Sequence, residues 1–242
     1  MIWAVRIVIC LPTYNERENV EPMIAALRGL DLEDLHVLVI DDNSPDGTGA
    51  IADRLAAELP WVHLLHRERK EGLGPAYLAG FRRALELGAD LVFEMDCDFS
   101  HDPEDVPRLL AATEDADLVL GSRYVPGGGT RNWGLVRRFI SRGGSLYAQA
   151  LLQLGIRDLT GGFKCYRRRV LETIDLDGIS SLGYAFQIET TYRALRAGFR
   201  VVEVPIQFSD REVGGSKMSK AIVAEAIWKV PALRIRALFG RL

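Results

Sequence analysis

Along residues 6–122, short apolar runs alternate with segments whose apolar positions recur every three or four residues. RIVICLP (6–12) and HVLVIDD (36–42) are almost wholly apolar and rich in β-branched residues, which predicts strands buried on both faces. Residues 61–66, 90–95 and 117–121 repeat that pattern in shorter form. Between the first two runs, Val20, Met23, Ile24 and Leu27 fall at helical spacing and predict a helix within 16–30. Asn15 reads as its cap, with Glu16 favoured by its positive end. Further helices are predicted over 47–59, behind the turn-forming DNSPDG, over 75–87, opened by Pro75, and over 103–112, where Asp102 caps the proline-led start.

Beyond Gly121 the pattern loosens. VPGGGTRNWG (125–134) reads as a glycine-rich loop, 137–154 as a helix, 159–162 as a loop leading into a strand at 163–166, 184–197 as a helix and 200–206 as a strand. A polar loop follows at 210–217, then a helical segment over 218–242 broken at Pro231. No repeat, low-complexity tract or clear linker divides the chain, so a single domain is expected. Strands apolar on both faces and joined by helical crossovers specify an α/β fold, with a mostly parallel sheet and helices on both faces. Ligands of such sheets bind at the carboxyl ends of the strands. Three polar clusters fall there, at 12–16, 41–46 and 96–98.

Composition narrows the picture. The chain has 242 residues, 48% hydrophobic and 26% charged, with a formal net charge of -3. That excludes a disordered tail, a collagen-like fibre and a coiled coil, and offers no basic field for nucleic acid. Three cysteines do not make a disulfide framework and fit a reducing cytoplasm. The N-terminal run is interrupted by Arg6, ends at Pro12 and lacks a signal-peptide pattern. The longest stretch free of charged side chains, residues 143–156, falls short of the roughly 20 apolar residues a spanning helix needs. The expectation is a cytoplasmic protein with no transmembrane segment.

The strongest chemical motif is MDCD. Asp96 and Asp98, one residue apart past a buried strand, can converge on one hard divalent ion such as Mg²⁺ or Mn²⁺. Acids in that position also serve as turn formers and helix caps. Asp41 and Asp42 can accept hydrogen bonds from a ribose or a base edge, though DNSPDG is equally good turn chemistry. Tyr14 can flank a base and Glu16 can hold a sugar hydroxyl. Cationic residues cluster at Arg123, at Arg131, Arg137, Arg138 and Arg142, and at Arg211 and Lys217, and guanidinium groups suit phosphates. No Walker sequence, complete dinucleotide fingerprint, HExxH or Ser-His-Asp pattern is present.

Individually these motifs are common; their order is not. LPTYNERENV, VIDDNSPDGT, GLGPAYLAGF, MDCDFSHDPE, GSRYVPGG, SRGGSLYAQ, LTGGFKCYRR, GYAFQIE and DREVGGSKMS, spread from Leu11 to Ser219, make the chain resemble the family 2 glycosyltransferases of GT-A (Rossmann-like) fold. Among these it is similar to the polyprenol (dolichol) phosphate mannose synthases. The resemblance implies a nucleotide pocket formed by Pro12, Tyr14, Glu16, Ile40 and Asp42, with Cys97 lining it through its backbone. It implies metal acids at Asp96 and Asp98, the latter also catalytic. Ser100 stands where some relatives place a glutamine ligand, and its hydroxyl is shorter. Arg123, Arg211 and Lys217 would hold the donor phosphates, and Arg137 and Ser141 the acceptor phosphate.

The implied reaction is inverting mannosyl transfer from GDP-mannose to a polyprenyl or dolichyl monophosphate, giving a β-mannosyl phosphate and GDP. The expected division is a catalytic domain over 1–217 and a basic, apolar helical segment over 218–242. That segment carries Lys220, Lys229, Arg234, Arg236 and Arg241 among apolar residues, which suits peripheral contact with a membrane surface on its cytoplasmic face. A separate membrane-anchoring protein is a candidate partner. The competing readings are a related transferase using UDP-glucose or another nucleotide sugar, a nucleotidyltransferase releasing pyrophosphate, and a non-catalytic nucleotide-sugar binding module.

Overall fold

A computed structural model describes residues 5–210 and 220–240, the first five of the latter segment by backbone alone. Seven strands form one sheet: β1 (Ile7–Thr13), β2 (Leu35–Asp41), β3 (Val62–His66), β4 (Leu91–Glu94), β5 (Leu118–Ser122), β7 (Lys164–Arg167) and β8 (Val201–Pro205). Their spatial order is β3-β2-β1-β4-β7-β5-β8. Every pairing is parallel except those of β7, which runs against both β4 and β5. Two short strands pair parallel in a second, two-stranded sheet: β6 (Gly129–Arg131), in the region read as a glycine-rich loop, and β9 (Gln207–Ser209), just past the strand read over 200–206.

Alternation along β1 explains the layering. Ile7, Ile9 and Leu11 face one core with Val37, Val39 and Phe93, whereas Val8 and Cys10 face the other with Leu38 and Ile40. The first core is roofed by α1 (Val20–Arg28), α2 (Thr48–Glu58) and α4 (Val106–Ala112). The second is roofed by α3 (Leu73–Glu86), α5 (Leu135–Leu152), α6 (Arg168–Thr173), α7 (Tyr184–Arg196) and α8 (Lys220–Leu238). Tyr77, Phe81, Tyr166 and Phe186 form an aromatic stack within it. At about 1.5–3 kcal/mol for each large apolar side chain fully withdrawn from water, these two layers supply the main folding drive.

Several local expectations change. Asn15 does not cap α1: it adopts φ 58° and donates its backbone N–H to Ser44 Oγ, and Asn19 takes the N-cap position. Asp102 does cap, accepting the Glu104 N–H at 3.0 Å, but it opens a 3₁₀ turn (Pro103–Asp105) before α4. Pro231 does not break the C-terminal helix; α8 runs through it. The missing proline N–H would have met the Ile227 carbonyl one turn back. That carbonyl instead accepts the Tyr147 hydroxyl of α5 at 2.8 Å. Val230, Leu233 and Ala237 hold the same helix in the core. No helix among the described residues is long and apolar enough to cross a membrane.

Candidate active site

The strand ends, the loop before β7 and the start of α7 enclose a cleft of about 400 Å³. Because β7 is reversed, its leading residues arrive at the same end as the carboxyl termini of β4 and β5, bringing Thr160 and Gly162 to the cleft beside Asp96 and Asp98. Pro12, Tyr14, Glu16, Asp42, Cys97, Ser100, Arg123 and Arg137 also line it. Ile40 does not: its side chain is fully buried in the core, where it presses on α3 at Gly80. Ser141 lies one helical turn beyond Arg137 on α5, in an adjoining groove, with its Oγ 2.7 Å from the Tyr124 hydroxyl that donates to it. Arg211 and Lys217 lie outside the described residues.

After β4 the chain turns sharply, with Phe99 held at φ 57°, a left-handed conformation that costs a bulky residue about 1–3 kcal/mol. Asp98 Oδ1 accepts the Ser100 N–H at 3.0 Å. The Asp96 N–H donates to His101 Nδ1 at 3.1 Å, so the neutral imidazole carries its proton on Nε2. Tyr77 Oη lies 3.4 Å from Asp96 Oδ1. No group of three or more His, Cys, Asp or Glu side chains among the described residues could hold a metal. Two carboxylates suit Mg²⁺ or Mn²⁺, hard ions that retain waters and take phosphate oxygens as further ligands. Ser100 is buried beside them, tied through its backbone to Asp98 and to Ser209.

On the nucleotide side, Asp42 Oδ1 accepts Arg67 Nη1 at 2.5 Å. Burial pushes the Asp42 carboxyl above its ordinary value, against the pull of Arg67. Asp41 is spent on the turn, accepting from the Ser44 N–H, the Ser44 hydroxyl and Thr13. Glu16 accepts Asn19 Nδ2 at 2.7 Å, and Lys70 Nζ sits 4.0 Å over the Tyr14 ring.

Arg123 departs from a free phosphate clamp. Its Nε and Nη2 donate to the two carboxylate oxygens of Asp158, each at 2.7 Å, and Nη2 also reaches Thr160 Oγ1 at 3.0 Å. The pair is almost fully buried, where an unpaired guanidinium would be costly. Arg137 lies with its guanidinium 4.2 Å over Trp133 and donates to Asp210 at 2.5 Å. Behind the cleft, Glu94 and Lys164 are wholly buried. Burial pushes the Lys164 ammonium down to about 8 and the Glu94 carboxyl up.

Among the described residues, four buried side-chain polar atoms have no partner, and three belong to this cleft: Trp133 Nε1, Arg137 Nε and Gln187 Oε1. Sequence reasoning assigned no role to Arg67, Lys70, His101, Asp158, Thr160 or Gln187. MDCDFSHDPE, LTGGFKCYRR and GYAFQIE, quoted above as motifs, contain His101, Thr160 and Gln187 without assigning them a role, and Asp158 lies outside every quoted motif.

Beside the cleft lies an apolar groove of about 300 Å³ between α5, α7 and α8, lined by residues such as Phe139, Tyr147, Ile188 and Ile227. Thr160 and Tyr184 line both spaces.

Comparison with known proteins agrees with this architecture. Residues 8–175 match the model of glycosyl transferase family 2. The chain is 53% identical over 225 residues to an undecaprenyl-phosphate mannosyltransferase of Micrococcus luteus, covering 93% of this chain and 92% of that one. It is 51% identical over 238 residues to a polyprenol monophosphomannose synthase of Mycolicibacterium smegmatis, covering 98% and 89%. Among solved structures it resembles glucosyl-3-phosphoglycerate synthase from Mycobacterium tuberculosis in complex with Mn²⁺, UDP-glucose and phosphoglyceric acid. That likeness has a TM-score of 0.69 at 20% identity, covering 95% of this chain and 80% of that one, and shows the fold. With two thirds of its length in the family model and half its residues shared with curated members, the chain belongs to glycosyltransferase family 2 and has the GT-A architecture.

Proposed function

We propose that the protein transfers mannose from GDP-mannose to a polyprenyl or dolichyl monophosphate, with inversion, giving a β-mannosyl phosphate and GDP. The observation that carries this reading is the wall shared by two unlike spaces. A polar cleft with an acid pair suits a nucleotide diphosphate sugar, and an apolar groove suits an isoprenoid chain; Thr160 and Tyr184 lie where the two meet. The similarity to an undecaprenyl-phosphate mannosyltransferase and a polyprenol monophosphomannose synthase supports the same acceptor.

In this reading Pro12, Tyr14, Glu16 and Asp42 hold the nucleotide. Asp96 and Asp98 hold a divalent ion, Mg²⁺ or Mn²⁺, whose chemistry is to neutralise charge on the departing diphosphate. The acceptor phosphate sits by Arg137 and Ser141, where the orphaned donors Arg137 Nε and Trp133 Nε1 suit anionic oxygens. An acceptor phosphate oxygen forms the new bond to the anomeric carbon as the bond to the diphosphate breaks, through a transition state of oxocarbenium character. The nucleophile is already anionic, so no strong general base is required. Arg123, its charge matched by Asp158, is held as a fixed donor at the cleft wall, and offsetting most of the repulsion between the two approaching anions falls to the ion held by Asp96 and Asp98.

The test is incubation with radiolabelled GDP-mannose, Mg²⁺ and a short polyprenyl phosphate, followed by organic extraction; label in the organic phase is expected, and label left wholly in water would overturn the reading. UDP-glucose run in parallel identifies the donor. Asp98→Asn is expected to lower turnover about 100-fold or more with the fold intact by circular dichroism; an unchanged rate would remove the metal role.

A further inference from the structure

Gln187 is held at both ends. Its backbone carbonyl accepts the Lys164 ammonium at 2.8 Å, and its side-chain Nε2 donates to Glu94 Oε1. Tyr166 Oη donates to the other Glu94 oxygen at 3.1 Å. A carboxylate accepts and does not donate, so this arrangement fixes which way the amide lies: the NH₂ group faces Glu94. The carbonyl oxygen Oε1 is the atom left over, buried and without a partner. Fixed acceptors of this kind are rarely left unmatched in a folded protein. Gln187 is 2% exposed and belongs to the cleft lining, where its neighbours Gly162 and Gly183 carry no side chain. A Cβ on Gly162 would stand 3.3 Å from Gln187 Nε2.

We propose that Gln187 is a specificity-determining residue: its Oε1 accepts a hydrogen bond from one hydroxyl of the donor hexose, in an orientation set by Glu94, Tyr166 and Lys164. The inference rests on the sugar-transfer reading above. Its chemistry calls for a neutral donor that reaches a buried, unmatched acceptor on a residue of the cleft lining, and a hexose hydroxyl is such a group. A phosphate oxygen, which only accepts, is excluded from this position.

The test is a cycle with one member in the protein and one in the substrate. The wild type and Gln187→Met, which keeps the volume and loses the acceptor, are compared for kcat/KM with GDP-mannose and its 2-, 3-, 4- and 6-deoxy analogues. GDP affinity is measured alongside by calorimetry. With GDP-mannose the variant is expected to lose about 10–100-fold, while GDP binds within twofold. One deoxy analogue should show the same loss in wild type and no further loss in the variant. Equal losses across every analogue would overturn the proposal and leave Gln187 a structural residue. Should Gln187→Met not fold, the swapped pair Glu94→Gln with Gln187→Glu preserves one donor, one acceptor and the spare oxygen; it is expected to keep the deoxy-analogue ranking of wild type, and a lost ranking would count against the proposal. A wild type that uses UDP-glucose in place of GDP-mannose would refute the mannose reading alone, and the same cycle with deoxyglucose donors would still decide Gln187.

Discussion

Asp158 makes its contribution by where it leaves Arg123. The carboxylate is wholly buried and accepts from the backbone N–H, Nε and Nη2 of that arginine. Its own backbone N–H is held by Glu203 of β8 at 2.9 Å. Burial pushes the carboxyl up, and the Arg123 charge and hydrogen bonds outweigh it, so the folded group titrates below its ordinary value. A depressed folded pKa gives stability that is complete above about pH 4 and lost as pH falls through the folded value. Asp158→Asn is therefore expected to cost about 3–5 kcal/mol near neutral pH by leaving a buried guanidinium unmatched. Urea midpoints should show that gap narrowing below about pH 4; a gap constant down to pH 3 would refute the assignment. The sequence offered Arg123 within GSRYVPGG as a phosphate cation, but its pairing with Asp158 was not legible, because the two are 35 residues apart and Asp158 lies in no quoted motif. Asp96 and Asp98 were legible as cleft residues because both acids lie within one tripeptide at a strand end. Ile40 was misplaced because carriage in a strand that ends at the cleft does not say which face the side chain takes.

At the scale of elements, α8 and α5 form a mutual dependence around Pro231. Tyr147 supplies the hydrogen bond that the proline cannot. Tyr147→Phe is expected to cost about 0.5–1.5 kcal/mol in wild type. In a Pro231→Ala background, where the alanine N–H reaches the Ile227 carbonyl, the same change should cost close to nothing. Equal costs in the two backgrounds, measured by urea unfolding, would refute the compensation. A proline in the sequence marks a helix end by default; its survival mid-helix depends on a hydroxyl from another helix. The long buried strands and amphipathic helices were legible because their apolar period needs no partner to be read. β6 and β9 were not, since each is only 3 residues long and glycine or polar residues fill β6. The reversal of β7 was equally hidden, because a buried strand has the same composition in either direction. Close packing also sets limits here: a Cβ on Gly80 of α3 would stand 2.4 Å from Ile40 Cδ1. Gly80→Ala is expected to cost about 1–3 kcal/mol by overpacking, read as a lower thermal midpoint.

Across the whole molecule, the helices α5 and α8 that line the apolar groove also hold large apolar side chains out in water. Leu135, Val136 and Phe139 of α5 are 81%, 74% and 82% exposed, and Trp228 of α8 is 80% exposed. Arg138 and Arg142 accompany them on α5. In the proposed function this face meets the membrane that carries the acceptor, and the buried Val230, Leu233 and Ala237 keep α8 attached to the catalytic body. Flotation with anionic vesicles is expected to recover the protein, and Phe139→Asp or Trp228→Asp should each lower recovery by about tenfold in partition; unaltered flotation would refute the docking face. The sequence placed basic and apolar residues in the last helix but showed no clean stripe, since α8 divides its apolar residues between core and surface. The reversed strand also governs assembly in time. β7 fills the open edge of β4 and joins it to β5, so a nascent chain carries a four-stranded sheet with a raw edge at β4, and an unpaired β5, until translation passes Arg167. Residues 158–163 reach the cleft just ahead of β7, whereas Tyr184, Gln187 and Phe208 follow it in the chain, so the protein gains a complete binding cleft only after its most exposed internal edge has already been covered.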